Sequence, residues 1–212
     1  MSHIFNWLFE PYFGTPNHLI VLEVIGVVFG FLSVWYSKKD NILVFPTGLI
    51  STSIFVYILF VYGLLGDMMI NAYYFIMSIY GWYIWTRKQD KNHYIPIKKA
   101  TKEEHFNSML LFMGTICFII IVYSSFDKWD SWTAYVDTFT TALFFVGMWL
   151  MAKKRLENWL YWIIGDLISI PLYFYKGLAL TALQYIFFTI IAIYGYKAWQ
   201  KQLNTPKTNL LK

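Results

Sequence analysis

Residues 158–175 read Asn158-Trp159-Leu160-Tyr161-Trp162-Ile163-Ile164-Gly165-Asp166-Leu167-Ile168-Ser169-Ile170-Pro171-Leu172-Tyr173-Phe174-Tyr175, with no basic side chain and one carboxylate at the centre. A stretch of this length and apolarity is a candidate membrane-spanning helix. Asp166 lies nine residues from Glu157 and nine from Tyr175. At the helical rise that is about 13 Å from either end, near the midplane of a bilayer. A carboxylate there costs roughly 2.5–3.5 kcal/mol even on insertion scales, so it has to face a partner or an aqueous cavity. No basic residue lies at comparable depth in any other apolar stretch. Two resolutions remain: Asp166 is protonated or hydrogen-bonded to hydroxyls, or it meets a cationic ligand. Positions 159, 162 and 166 share one helical face, which Ser169 and Tyr173 extend. Two indoles beside the carboxylate favour the ligand, because indole faces attract cations and stack on flat rings.

Outward from this helix the whole chain has the same character. Of its 212 residues 58% are hydrophobic and only 14% charged, against about 25% charged in an ordinary soluble domain. A soluble protein of this size cannot hide so much apolar surface in one core. The net charge of +5 does not point to nucleic acid, since the basic residues lie between apolar stretches rather than in one patch. Cys117 is the lone cysteine, so no disulfide or cysteine zinc site forms within the chain. His3, His18, His93 and His105 all lie outside the apolar stretches. There is no nucleophile–base pattern, no matched carboxylate pair and no glycine-rich phosphate loop, so neither an enzyme nor a metal or cofactor is expected.

Seven apolar stretches are long enough to cross a bilayer: 19–36, 42–62, 66–86, 106–125, 132–151, 158–175 and 178–199. The chain therefore divides into an interfacial segment (1–18), a three-helix bundle (19–86), a cytoplasmic loop (87–105), a linker helix (106–125), a second three-helix bundle (126–199) and a tail (200–212). Segment 1–18 has no Lys or Arg and no small-residue cleavage site, and reads as an aromatic stretch at the interface rather than a signal peptide. With seven alternating spans, fifteen Lys and Arg residues fall on one side and only Lys128 and Lys176 on the other. That bias puts the N-terminus outside and the C-terminus in the cytoplasm. Loop 87–105 reads as a solvated connector.

Sliding the chain by 114 places Gly63-Leu64 on Gly177-Leu178, Ile79-Tyr80-Gly81 on Ile193-Tyr194-Gly195, and Trp85 on Trp199. A slide of 118 places Leu49-Ile50-Ser51 on Leu167-Ile168-Ser169, and one near 115 places Lys38-Lys39 on Lys153-Lys154. Helices 1–3 thus resemble helices 5–7. The extra fourth helix restores the orientation of the second copy, giving the parallel 3+1+3 repeat found in the SWEET sugar transporters. Each half carries one proline in its second helix, Pro46 and Pro171. Paired interruptions point to hinges around a central site, and favour a transporter over a receptor of the same topology.

Further polar residues point toward that centre. Thr181, Gln184 and Phe188 repeat the i, i+3, i+7 spacing in helix 7, and Asp67, Asn71 and Tyr74 hold the equivalent places in helix 3, with Asn71 one place offset from the match to Gln184. Thr47 and Ser51 come from helix 2. Amides donate and accept at once, which suits a carboxamide or sugar hydroxyls. Together these residues describe a polar, aromatic-walled pocket for a flat, positively charged molecule. Glu23 and Asp137, nearer the outer face, read as snorkelling or capping residues.

Trp159-x-x-Trp162-x-x-x-Asp166, the following Ile168-Ser169-Ile170-Pro171-Leu172-Tyr173, Lys176-Gly177-Leu178, and Thr181-Ala182-Leu183-Gln184-Tyr185 through Tyr194-Gly195 to Trp199 resemble the PnuC family of vitamin transporters. The resemblance implies an all-α, SWEET-like fold of seven transmembrane helices, a homotrimer, and a place in the bacterial plasma (inner) membrane. It also implies uptake of nicotinamide riboside by facilitated diffusion, with cytoplasmic phosphorylation trapping the product for NAD biosynthesis. Nicotinamide riboside has a flat pyridinium ring, a carboxamide and a ribose, the features the pocket asks for. Family members also carry thiamine. The family motif ends in Asn or Asp, and Asp166 leaves the thiamine branch open.

Overall fold

The computed structural model describes residues 16–63, 65–90, 93–125, 132–176 and 179–204. Most of the expected interfacial segment, the acidic and basic residues Asp127, Lys128 and Asp130, and the end of the tail lie outside the described residues. Seven helices follow in order: α1 Asn17–Lys38, α2 Val44–Val61, α3 Leu65–Thr86, α4 Lys102–Ser125, α5 Trp132–Ala152, α6 Asn158–Tyr175 and α7 Ala179–Asn204. Between α3 and α4 a short hairpin pairs β1 Lys88–Asp90 with β2 His93–Tyr94. Each of the seven apolar stretches corresponds to one helix, with 42–62 overrunning α2 at both ends and 178–199 beginning one residue before α7.

By length and composition, α1, α2, α4 and α5 are apolar enough to cross a membrane. α3 and α6 are as long, but their polar positions Asp67, Asn71 and Asp166 dilute hydropathy. The outer surface is apolar, with Val21, Phe60, Ile76 and Ile121 among its exposed side chains. Such a surface suits lipid, where helices satisfy their own backbone groups.

Helices α1, α2 and α3 pack in sequence, as do α5, α6 and α7, and the two halves meet where α3 contacts α5 and α1 contacts α7. Helix α4 sits outside, against α5. The contacts across the seam come in reciprocal pairs. Trp85 Nε1 donates to the Ala152 carbonyl at 3.1 Å, and Trp199 Nε1 donates to the Ser37 carbonyl at 3.0 Å. The Phe31 ring meets Phe188 at 5.0 Å, and Tyr74 meets Phe145 at 6.0 Å. Within the halves, Gly81 lies under Phe45 and Gly195 under Trp159. Apart from Ser37 and Ala152, which are 115 apart, the members of these pairs lie 114 positions apart.

The helical corners repeat as well. Asp40 after α1 and Lys154 after α5 both adopt left-handed backbone, with φ of 52° and 56°. Their side chains join across the seam at 2.8 Å. Lys154 Nζ also lies 4.2 Å from the Trp85 ring centroid, a cation–π arrangement. Burial pushes the Asp40 carboxyl above its ordinary range, and Lys154 opposes that shift. The core is densest at this basic end, where Phe45, Trp85, Met151, Leu156, Trp159 and Trp199 are buried together.

Two expectations need correction. Segment 87–105 is more than a solvated connector. Ile97 is buried, Lys98 pairs in parallel with Arg155, and the Ala100 N–H donates to Glu157 Oε2 at 2.8 Å. Thr101 and Glu104 cap each other's backbone N–H groups, a capping box that starts α4 at Lys102 rather than at 106. Glu104 then holds Arg155 at 2.8 Å and Lys153 at 3.3 Å. The second correction concerns the prolines. Pro171 lies inside α6, but Pro46 is the third residue of α2, where its missing N–H has no helical acceptor anyway. The two prolines occupy opposite ends of their helices and are not a matched pair of interruptions.

Candidate functional site

Between the two halves lies a cavity of about 440 Å³, lined from all six helices of both halves but by no described residue of α4. Its size falls within the usual range for small-molecule sites. Of the expected residues, Ser51, Asn71, Tyr74, Trp159, Trp162, Asp166, Gln184 and Phe188 line it. Ser169, Tyr173 and Thr181 do not; nor do Thr47, whose hydroxyl donates to the Leu43 carbonyl, and Asp67, in the first turn of α3.

Asp166 is 2% exposed and projects from the middle of α6 into this space. Among the described residues the ion pairs are those of Glu104, Asp40 and Asp137, so no basic side chain neutralises Asp166. A partner for its charge has to come from the ligand or from a proton. Asp137, expected to snorkel or cap, pairs instead with Lys176 at 2.5 Å.

Around the carboxylate the second half supplies rings. Trp162 stacks on Phe144 at 5.3 Å and 24°, and Phe144 lies parallel to Tyr185 at 6.1 Å and 8°. Tyr74 closes the corner 6.4 Å from Trp162. These rings lie against two glycines. A Cβ on Gly165 would fall 2.3 Å from Phe144, and one on Gly147 3.3 Å from Trp162. Trp159, at the basic end, is fully buried with its ring edge-on to Trp199 at 5.5 Å. It forms a floor, whereas Trp162 forms a wall.

The first half supplies small residues and hydroxyls. Gly26, Gly30, Ser33, Gly48, Ser51 and Ser78 all reach the cavity. Ser33 Oγ donates to the Val44 carbonyl and Ser51 Oγ to the Gly26 carbonyl, each at 2.8 Å. Each oxygen keeps its lone pairs for a second partner. Asn71 Nδ2 donates to the Asp67 carbonyl at 3.0 Å.

The other three absences have physical causes as well. Tyr173 stacks behind Tyr185 at 5.1 Å. Thr181 is the third residue of α7, near the end of the bundle. Ser169 is buried, with its Oγ unpartnered among the described residues. Ser51 packs against Gly30 as Gly165 packs against Phe144, so the counterpart of Ser51 is Gly165. Ser169 sits one turn too far along. Sequence reasoning missed Phe144, Tyr185, Ser33 and Ser78. For two of them a signal was present: at the 114 shift Phe144 falls on Gly30 and Ser33 on Gly147, as Trp162 falls on Gly48.

An apolar helical bundle with a carboxylate-bearing, ligand-sized cavity at its centre defines a class, a multi-pass membrane protein that holds a small solute. The nicotinamide mononucleotide transporter family matches residues 20–201, and the chain belongs to that family, one of transporters rather than enzymes. It is 26% identical over 205 residues to the nicotinamide riboside transporter PnuC of Escherichia coli, covering 84% of each chain. It is also 26% identical over 202 residues to the riboflavin/roseoflavin transporter RibM of Streptomyces davaonensis, covering 92% of each. The crystal structure of the vitamin B3 transporter PnuC superposes with a TM-score of 0.65 at 23% identity, covering 86% of this chain and 81% of that one, and so shares the fold.

Proposed function

We propose that the chain takes up nicotinamide riboside across the bacterial plasma membrane by facilitated diffusion, with phosphorylation in the cytoplasm trapping the product. The observation that carries this is Asp166, buried without a basic partner among the described residues and set between aromatic faces. A flat cation supplies both the missing charge and a surface to stack. Among the described residues no Lys, Arg or His lines the cavity, so a phosphate dianion finds no counter-charge from them. That favours the riboside over the mononucleotide. Thiamine, another flat aromatic cation, is the second reading. A relative named for riboflavin supports a family whose members serve different vitamins.

In this reading all seven helices cross the membrane as a parallel 3+1+3 repeat of the SWEET kind. The 114-residue reciprocity of the tryptophan, glycine and ring contacts supports it. Residues 19–86 and 126–199 form the two bundles, 106–125 the linker helix, and 87–105 and 200–212 lie in the cytoplasm. The N-terminus, with interfacial segment 1–18, lies outside, as the charge bias requires. Transport follows from rocking of the two halves about the central site, with Pro171 in α6 as a hinge. A homotrimer is the assembly that goes with this reading.

Calorimetric titration of the purified protein with nicotinamide riboside, and separately with thiamine, tests the assignment. Binding of nicotinamide riboside alone is expected; binding of thiamine alone moves the protein to the sister branch, and binding of neither ends the reading. Asp166→Asn is expected to weaken a cationic vitamin more than its neutral isostere, and equal loss for both would remove the role of charge. In proteoliposomes, uptake is expected to be unchanged when a proton gradient is collapsed.

A further inference from the structure

We infer that Gly30 and Gly48 determine the ligand's size and position, by opening on the first-half wall a recess that takes the hydroxylated part of a flat cation. This deepens the transporter reading above and rests on it.

The two walls make the same contacts with their volumes exchanged. In the second half, Phe144 fills the space over Gly165, and Trp162 the space beside Gly147. In the first half the residues 114 positions earlier are Gly30 over Ser51 and Gly48 beside Ser33. Where the second half projects two aromatic rings, the first half therefore projects nothing. At these two positions the cavity reaches the backbone of α1 and α2, with Ser78 of α3 beside it. A cation stacked on Trp162 and Phe144 has its remaining atoms directed into that space.

The chemistry of the recess matches a polyol. A Cβ on Gly48 would lie 3.0 Å from Ser33 Oγ and 3.4 Å from Ser78 Oγ, and one on Gly30 3.1 Å from Ser51 Oγ. The absent methyls would thus fill the gaps between cavity-lining hydroxyls. Ser33 and Ser51 spend their protons on backbone carbonyls, so they present lone pairs. Acceptors held in this way suit a ligand fragment rich in O–H donors.

The test compares nicotinamide riboside with 1-methylnicotinamide, which keeps the pyridinium ring and replaces the sugar by a methyl group. Binding of each is read by quenching of tryptophan fluorescence in the full-length protein. Gly48→Ala is expected to raise the dissociation constant of nicotinamide riboside at least tenfold and to change that of 1-methylnicotinamide less than twofold. Gly30→Ala, whose single close neighbour is a rotatable hydroxyl, is expected to shift the same ratio in the same direction. Gly114→Ala, where a Cβ meets nothing within 4 Å, serves as control and leaves both constants unchanged. Equal weakening of both ligands by the two cavity variants, or no effect on either, overturns the inference and leaves the transporter reading standing. A wild-type protein that binds neither cation brings down both.

Discussion

Trp159 and Trp162 have the same side chain and share a helix face, yet the structure separates their roles by depth. Trp162 is a cavity wall stacked on Phe144, so removing its ring takes away ligand contact. Trp162→Ala is expected to weaken cation binding by about 1–2 kcal/mol, the worth of a desolvated cation–π contact, or roughly tenfold in dissociation constant. Trp159 is packed over Gly195, where an added Cβ would fall 2.6 Å from its ring. Trp159→Ala is expected to cost about 3–5 kcal/mol of stability through the void it leaves, seen as a lower melting temperature in detergent. A melting temperature equal to wild type would mean that the core does not depend on this indole. The helical period announced the shared face, because i, i+3 and i+7 geometry is local. Which ring is floor and which is wall depends on neighbours in α5 and α7, and nothing local in α6 encodes that.

At the scale of the element, α4 and α2 show where hydropathy misleads. The first turn of α4 is charged, so an apolar window begins the helix several residues late. Thr101-x-x-Glu104 carries the start signal instead, and is visible to capping chemistry. Glu104 goes on to hold Arg155 and Lys153, tying the segment before α4 to the α5–α6 corner. Glu104→Gln removes the charge from this knot. It is expected to cost about 1.5–3 kcal/mol, the range for hydrogen bonds to charged groups, read as a loss of thermal stability with ligand affinity unchanged. In α2, Pro46 occupies the first turn, and there its ring suits the backbone. Pro46→Ala is therefore expected to leave uptake within about twofold of wild type, and a larger loss would restore its part as a hinge. A proline is plain in a sequence, but whether it interrupts a helix turns on where that helix begins, the least legible feature of any helix.

At the scale of the whole molecule, the two halves are joined at their basic ends by Asp40 and Lys154, one left-handed residue from each half. The Lys154 side chain is 7% exposed and that of Asp40 22%, so the pair gives up much of its hydration. Lys154→Met is expected to destabilise the fold by leaving Asp40 without a counter-charge. The double variant Asp40→Leu/Lys154→Met is expected to regain most of that loss, since buried ion pairs are often replaceable by apolar ones. Additive losses in a thermal-melt cycle would show instead that the two side chains are not coupled across the seam. The reciprocal contacts between the halves had a trace in the sequence at Ile79-Tyr80-Gly81 and Trp85, because residues that meet the same neighbours twice are constrained twice. The shape of the cavity had none, since it arises where the two halves differ. The hydrogen bond from Trp199 to the Ser37 carbonyl joins residues 162 positions apart. At about 5–20 residues per second, the end of α1 waits roughly 8–32 s during synthesis for the indole that completes it. For the later part of that time α1, α2 and α3 stand as a half-built body with one open flank, and whatever attends nascent chains in the membrane meets that flank first.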